Sequence, residues 1–229
     1  VTGRRRAGVL AVVAAVALTS LGVARATGDA PQGCERSRID AAERRALDTG
    51  PTGPGRSAPD IVVIGDSWSV GTGVGPGESW PVRLPGRVHV DGFGGSGFSE
   101  TASDCHGASY ADRAARAIAG HPDALVVVEG GLNDVDQGDR AIEHGFVRLL
   151  GALAGHRVVV VGPAPAPVRA TRVGRVDAVL ARTATGFGAT YVSMLGADVD
   201  YQDDDLHPSV RGHRQFGDLV AAAVADHLR

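Results

Sequence analysis

Asp60-Ile61-Val62-Val63-Ile64-Gly65-Asp66-Ser67-Trp68-Ser69 is the stretch that decides the fold. Residues 61–64 are four apolar residues in a row, all β-branched, with no polar alternation. Such a run reads as a strand buried on both faces, the kind found in parallel sheets. Gly65 permits a tight turn at its end. Ser67 then falls at or near the N-terminus of a helix, where free N–H groups favour developing negative charge. The plainer alternative is that Ser67 is only an N-cap.

Working outward, apolar runs recur at 87–90, 124–128, 158–161 and 189–193. Helical patterns lie between and after them, at 110–119, 139–154, 172–185 and 209–228. Strands alternating with helices imply an α/β domain: three layers, helices on both faces of a five-stranded parallel sheet, joined by right-handed crossovers. Binding chemistry in such a fold belongs in the loops beyond the C-terminal ends of the strands. Residues 59–229 are assigned to this domain.

Three more loops qualify. After the second strand comes Asp91-Gly92-Phe93-Gly94-Gly95-Ser96-Gly97, whose glycines let backbone N–H groups approach a ligand, though such a run can be a plain turn. After the third comes Gly130-Gly131-Leu132-Asn133-Asp134, holding the only asparagine of the chain. Its amide is either a placed donor or a turn residue tolerating positive φ. Before the last helix comes Asp203-Asp204-Asp205-Leu206-His207-Pro208. Pro208 disfavours helix at His207, and Asp204 can curl back to accept a hydrogen bond from the imidazole. An acidic solvated turn or a calcium loop is the alternative, but no glycine turn or later Glu matches a calcium loop.

These four segments, in this order, resemble the SGNH or GDSL hydrolase superfamily. The resemblance covers residues 60–229. It implies a flavodoxin-like sheet and a serine esterase or lipase that works through an acyl-serine intermediate. Ser67 would be the nucleophile, His207 the general base and Asp204 its orienting carboxylate. The oxyanion hole would be formed by Ser67, Gly95 and Asn133, with Gly94 or Gly97 as alternatives to Gly95. Trp68 departs from the leucine of the GDSL name, which bears on substrate fit. No metal or organic cofactor is implied. Acyl transfer to an alcohol or sugar, and a catalytically silent binding module, are the rival functions. The substrate class is a small-molecule, lipid or glycan ester.

Composition excludes other classes. The chain has 229 residues, 43% hydrophobic and 4% aromatic, too apolar for disorder. All 23 basic residues are arginine, so Schiff-base chemistry and a P-loop lysine are absent. A Rossmann fingerprint fails because Ser67 and Val70 occupy its second and third glycine positions, although Asp91 imitates a ribose-binding acid. The Gly-x-Ser-x-Gly of α/β-hydrolases fails at Ser69.

Arg4, Arg5 and Arg6 precede an uncharged, mostly apolar run at 7–24 and the small-x-small triplet Ala24-Arg25-Ala26. Residues 1–26 therefore read as a signal peptide, with an uncleaved membrane anchor as the alternative. Export leaves 19 arginines against 26 acidic residues, a formal net charge of −7, a poor match to nucleic acid. Residues 27–58 read as a linker or N-terminal extension with a short charged helix near 39–47. In an exported chain the two cysteines, Cys34 and Cys105, are expected to pair and pin that extension to the domain. The expected location is secreted. Trp80 is expected to pack, and Trp68 to wall the acyl pocket or join the core.

Overall fold

The structure is a computed structural model that describes residues 29–46, 58–75 and 77–228. The signal-like segment 1–26 lies outside the described residues. Among the described residues no helix is long and apolar enough to cross a membrane.

Five parallel strands form one sheet: β1 (Asp60–Gly65), β2 (Arg87–Gly92), β3 (Leu125–Glu129), β4 (Arg157–Val161) and β5 (Thr190–Val192). Their spatial order is β2-β1-β3-β4-β5, that of flavodoxin-like sheets. The direction of strand progression reverses between β1 and β3. That crevice is where such folds bind their ligands. Register places Gly65 beside Gly92, so the first two candidate loops leave the sheet side by side.

The continuous apolar runs become the central layer. Residues 61–64, 125–128 and 159–161 are all buried. Helices α3 (Tyr110–Ala117), α4 (Asp139–Ala152) and α5 (Ala170–Gly186) pack in a row, and α6 (Val210–Val224) packs against a 3-10 turn at Trp80–Arg83. Buried Phe216 of α6 meets Trp68 and Trp80 edge-on, at centroid distances of 5.1 and 5.6 Å. Both tryptophans are fully buried core residues.

The N-terminal extension differs from its sequence reading. In place of a short helix near 39–47 there is a 17-residue helix α1, Asp29–Arg45. It is polar nearly all round, so no apolar stripe marked its extent. Besides an ion pair of 3.8 Å from Arg45 to Asp91, two devices hold it. Ala41 packs with Phe93 and Ala108 in a small separate cluster, and a disulfide joins Cys34 to Cys105, with Cα atoms 5.5 Å apart.

Candidate active site

Helix α2 (Ser67–Val70) follows β1 directly, with Ser67 at its first position. The N-cap is Asp66, whose Oδ1 accepts from the Trp68 N–H at 2.9 Å, so Ser67 is not the cap. Its own N–H has no acceptor within the helix. Gly65 is required here, because a Cβ would stand 2.1 Å from Ser69 Oγ. That hydroxyl donates to buried Glu129 Oε2 at 2.6 Å.

The loop carrying His207 is closed on itself. Gln202 N–H donates to His207 O at 2.8 Å, and Tyr201 bridges to Pro208. Asp205 takes a left-handed φ of +54°, which acidic residues tolerate. The turn brings Asp204 back under the imidazole. Asp204 Oδ2 lies 2.5 Å from His207 Nδ1, and Oδ1 accepts from the N–H groups of Leu206 and His207 at 3.0 and 2.9 Å. Partial burial works to raise the Asp204 carboxyl. The bonds from the His207 ring and the two N–H groups outweigh it and hold the carboxyl at about 2.

His207 Nε2 lies 3.0 Å from Ser67 Oγ, across 140 positions of chain. Two further bonds hold the segments together. Trp68 Nε1 donates to Leu206 O at 3.1 Å, and Gln202 Nε2 to Thr72 O at 2.8 Å. A hydroxyl, imidazole and carboxylate bonded in series can pass the hydroxyl proton to the ring while the carboxylate fixes its tautomer.

The two remaining loops border this series. Gly95 is exposed, with φ +77° and open space where a Cβ would stand, and its N–H makes no hydrogen bond among the described residues. Gly97 is buried, where a Cβ would come 2.5 Å from Asp134 Oδ2, and Gly94 faces Ser37 of α1. Asn133 lies in a 3-10 turn after β3. Its Nδ2 donates to Ser96 O at 2.9 Å and to Asp66 Oδ2 at 3.2 Å.

Several buried charges around the site had no role in the sequence reading. Asp66 both caps α2 and holds Asn133. Burial raises its carboxyl to about 6, against lowering by the Trp68 N–H, His207, Arg113 and Arg169. Asp134 accepts from the N–H groups of Phe98 and Ser99 at 3.0 and 2.8 Å, fixing the glycine-rich loop, and burial lifts it to about 7. Buried Arg113 donates to Gly65 O and Ser96 Oγ at 2.9 and 3.1 Å and pairs with Asp91. Asp91 thus serves an internal ion pair. No local sequence pattern marks these residues, which lie in a strand, two loops and helix α3 and find their partners only in the fold.

The match to known families follows this geometry. Residues 63–215 match the model of the GDSL-like lipase/acylhydrolase family. The chain belongs to that family. It is accordingly a carboxylic ester hydrolase, as the four-segment resemblance implied. A search of curated proteins finds no match. Solved structures show the same fold at low identity. A putative arylesterase from Agrobacterium tumefaciens is 20% identical with a TM-score of 0.61, covering 73% of this chain and 99% of that one. Est24, a carbohydrate acetylesterase from Sinorhizobium meliloti, is 17% identical with a TM-score of 0.62, covering 74% and 99%. The aryl esterase of M. smegmatis is 18% identical with a TM-score of 0.59, covering 74% and 99%.

Proposed function

We propose that this family member is an extracytoplasmic serine esterase acting on esters of small acyl groups. Ser67 is the nucleophile and His207 the general base. Asp204 holds the imidazole tautomer and stabilises its cation. The hydrogen bond of 3.0 Å between Ser67 Oγ and His207 Nε2 carries the reading. A serine hydroxyl is a weak nucleophile until such a base takes its proton.

His207 accepts the Ser67 proton as the oxygen attacks the ester carbonyl. The tetrahedral oxyanion is met by the N–H groups of Ser67 and Gly95 and by the Asn133 amide. Gly95 is favoured over Gly94 and Gly97 because it alone of the three is both exposed and in open space. Asn133 reaches the oxyanion by giving up its longer bond, the one to Asp66. His207 then protonates the leaving alcohol, and water releases the acyl group by the same steps in reverse. The small-acyl preference draws on the arylesterases and carbohydrate acetylesterases among the structural neighbours. Export draws support from the Cys34–Cys105 disulfide, a bond that persists in oxidising compartments.

A series of nitrophenyl esters from acetate to palmitate tests the proposal. Turnover is expected to be highest on the shortest acyl groups and lost in Ser67→Ala. Activity retained in Ser67→Ala, or a maximum at palmitate, would overturn the corresponding part. Adding an acceptor alcohol separates hydrolysis from transfer: free acid as the dominant product supports the esterase, and a new ester the transferase.

A further inference from the structure

At the other end of β1 from Ser67, about 20 Å away at about 3.3 Å per residue, lies a cluster the esterase chemistry does not use. Asp60 opens β1. His89 lies in β2, paired in register with Val62, so it shares a sheet face with Asp60. His121 comes from the turn leading from α3 into β3. Among the described residues these three bring ligand atoms within 4.8 Å of one another.

We propose that Asp60, His89 and His121 form a binding site for a divalent transition-metal ion of the zinc class. Asp60 Oδ1 lies 3.7 Å from His89 Nε2, and Asp60 Oδ2 lies 3.7 Å from His121 Nδ1. Both separations are too long for hydrogen bonds. They are near the span of about 3.4 Å between two ligand atoms each about 2.1 Å from a tetrahedral ion. His121 Nδ1 is buried and has no hydrogen-bond partner. The two rings stack against each other, with centroids 4.0 Å apart and planes tilted by 33°. An unpaired buried nitrogen, a second imidazole and a carboxylate within 4.8 Å of one another make a donor set suited to zinc, with water at the fourth position. Arg87 is the competitor. Its Nε donates to Asp60 Oδ1 at 2.7 Å, but the side chain is half-exposed and can swing away. The ion would tie edge strand β2 to β1 and to the entry of β3. Its effect is therefore on stability rather than on the chemistry at Ser67.

The test is titration of metal-free protein with zinc by calorimetry and thermal melting, with cobalt(II) absorption as the spectroscopic readout. The wild type should bind one equivalent, melt higher in zinc, and give the visible bands of a cobalt ion held by imidazole and carboxylate. His121→Ala should weaken binding at least about tenfold, and His89→Ala/His121→Ala should lose the melting shift. Both should keep wild-type ester turnover. Arg87→Gln should bind more tightly by removing the competing cation, and this readout needs no loss of fold. A His207→Ala background should keep the equivalent, which separates this cluster from the imidazole at Ser67. No cobalt bands in the wild type, or full zinc binding in the double variant, would overturn the assignment.

Discussion

Asn133 shows how much of a site depends on single bonds. Both hydrogens of its amide are occupied, by Ser96 O and by Asp66 Oδ2. If the bond to Asp66 yields to the oxyanion, Asn133→Ala should cut kcat by about 10²–10³ and leave KM nearly unchanged. Steady-state kinetics on a nitrophenyl ester checks this, and a pure rise in KM would assign Asn133 to substrate binding instead. Asp66 offers a pH test. Its folded carboxyl holds a proton up to about 6, whereas an unfolded one releases it near about 3.9. Between these values the folded state binds more protons, so this group's contribution to stability falls as pH rises. Asp66→Asn should therefore gain on the wild type in denaturant midpoint from about pH 4 to about pH 7. A constant difference across that range would contradict the assignment. Ser67, Asp204 and His207 were legible as candidates because their signals are local: a strand end, a three-residue curl and a proline stop. The roles of Asp66 and Glu129 were not. They depend on partners about 60 positions away that only the sheet brings close.

At the scale of elements, the central strands were readable because β1, β3 and most of β4 are buried on both faces and so carry unbroken apolar runs, whereas β2 and β5 lie at the sheet edges and are partly exposed. Their ends moved by only a residue or two. Helix α1 was the miss, and the reason is physical. It buries Ala41 and little other apolar surface, so its extent left no hydrophobic period to find. A helix so weakly packed relies on its covalent tie. The Cys34–Cys105 bond closes a separation of 71 residues, a cross-link worth about 2–4 kcal/mol. Cys34→Ser/Cys105→Ser should lose about that much in chemical denaturation. Limited proteolysis of the variant should cut first within 29–46 while ester turnover persists. Early cuts beyond residue 60, with α1 intact, would show that the bond supports the sheet instead. Trp68 works the other way round from a pocket wall. It is core, and its indole N–H ties the helix that opens at Ser67 to Leu206, next to the imidazole. Trp68→Phe removes that bond and also leaves a cavity beside Phe216, so it should lower both kcat and the melting point, read by kinetics and melting on the same sample. Equal kcat with a lower melting point would reduce the tie to packing alone.

Across the whole molecule, topology does the assembling. The β2-β1-β3-β4-β5 order sets the loops after β1, β2 and β3 side by side, and α6 delivers the fourth from the far end of the chain. Residues 67 and 207 therefore meet at one rim of the sheet, while Asp60, His89 and His121 gather at the opposite rim. The segment order legible in the sequence was informative because a parallel sheet with right-handed crossovers leaves few ways to arrange it. What that order could not convey was the opposite rim, since its three residues belong to no motif and meet only through strand register.

The central claim is that Ser67 is made nucleophilic by His207. Labelling the folded protein with a fluorophosphonate and mapping the adduct by mass spectrometry tests it most directly. The account predicts one adduct, on Ser67, formed at least about 10²-fold more slowly in His207→Ala. An adduct on another serine, or a Ser67 adduct formed equally fast without the imidazole, would contradict it.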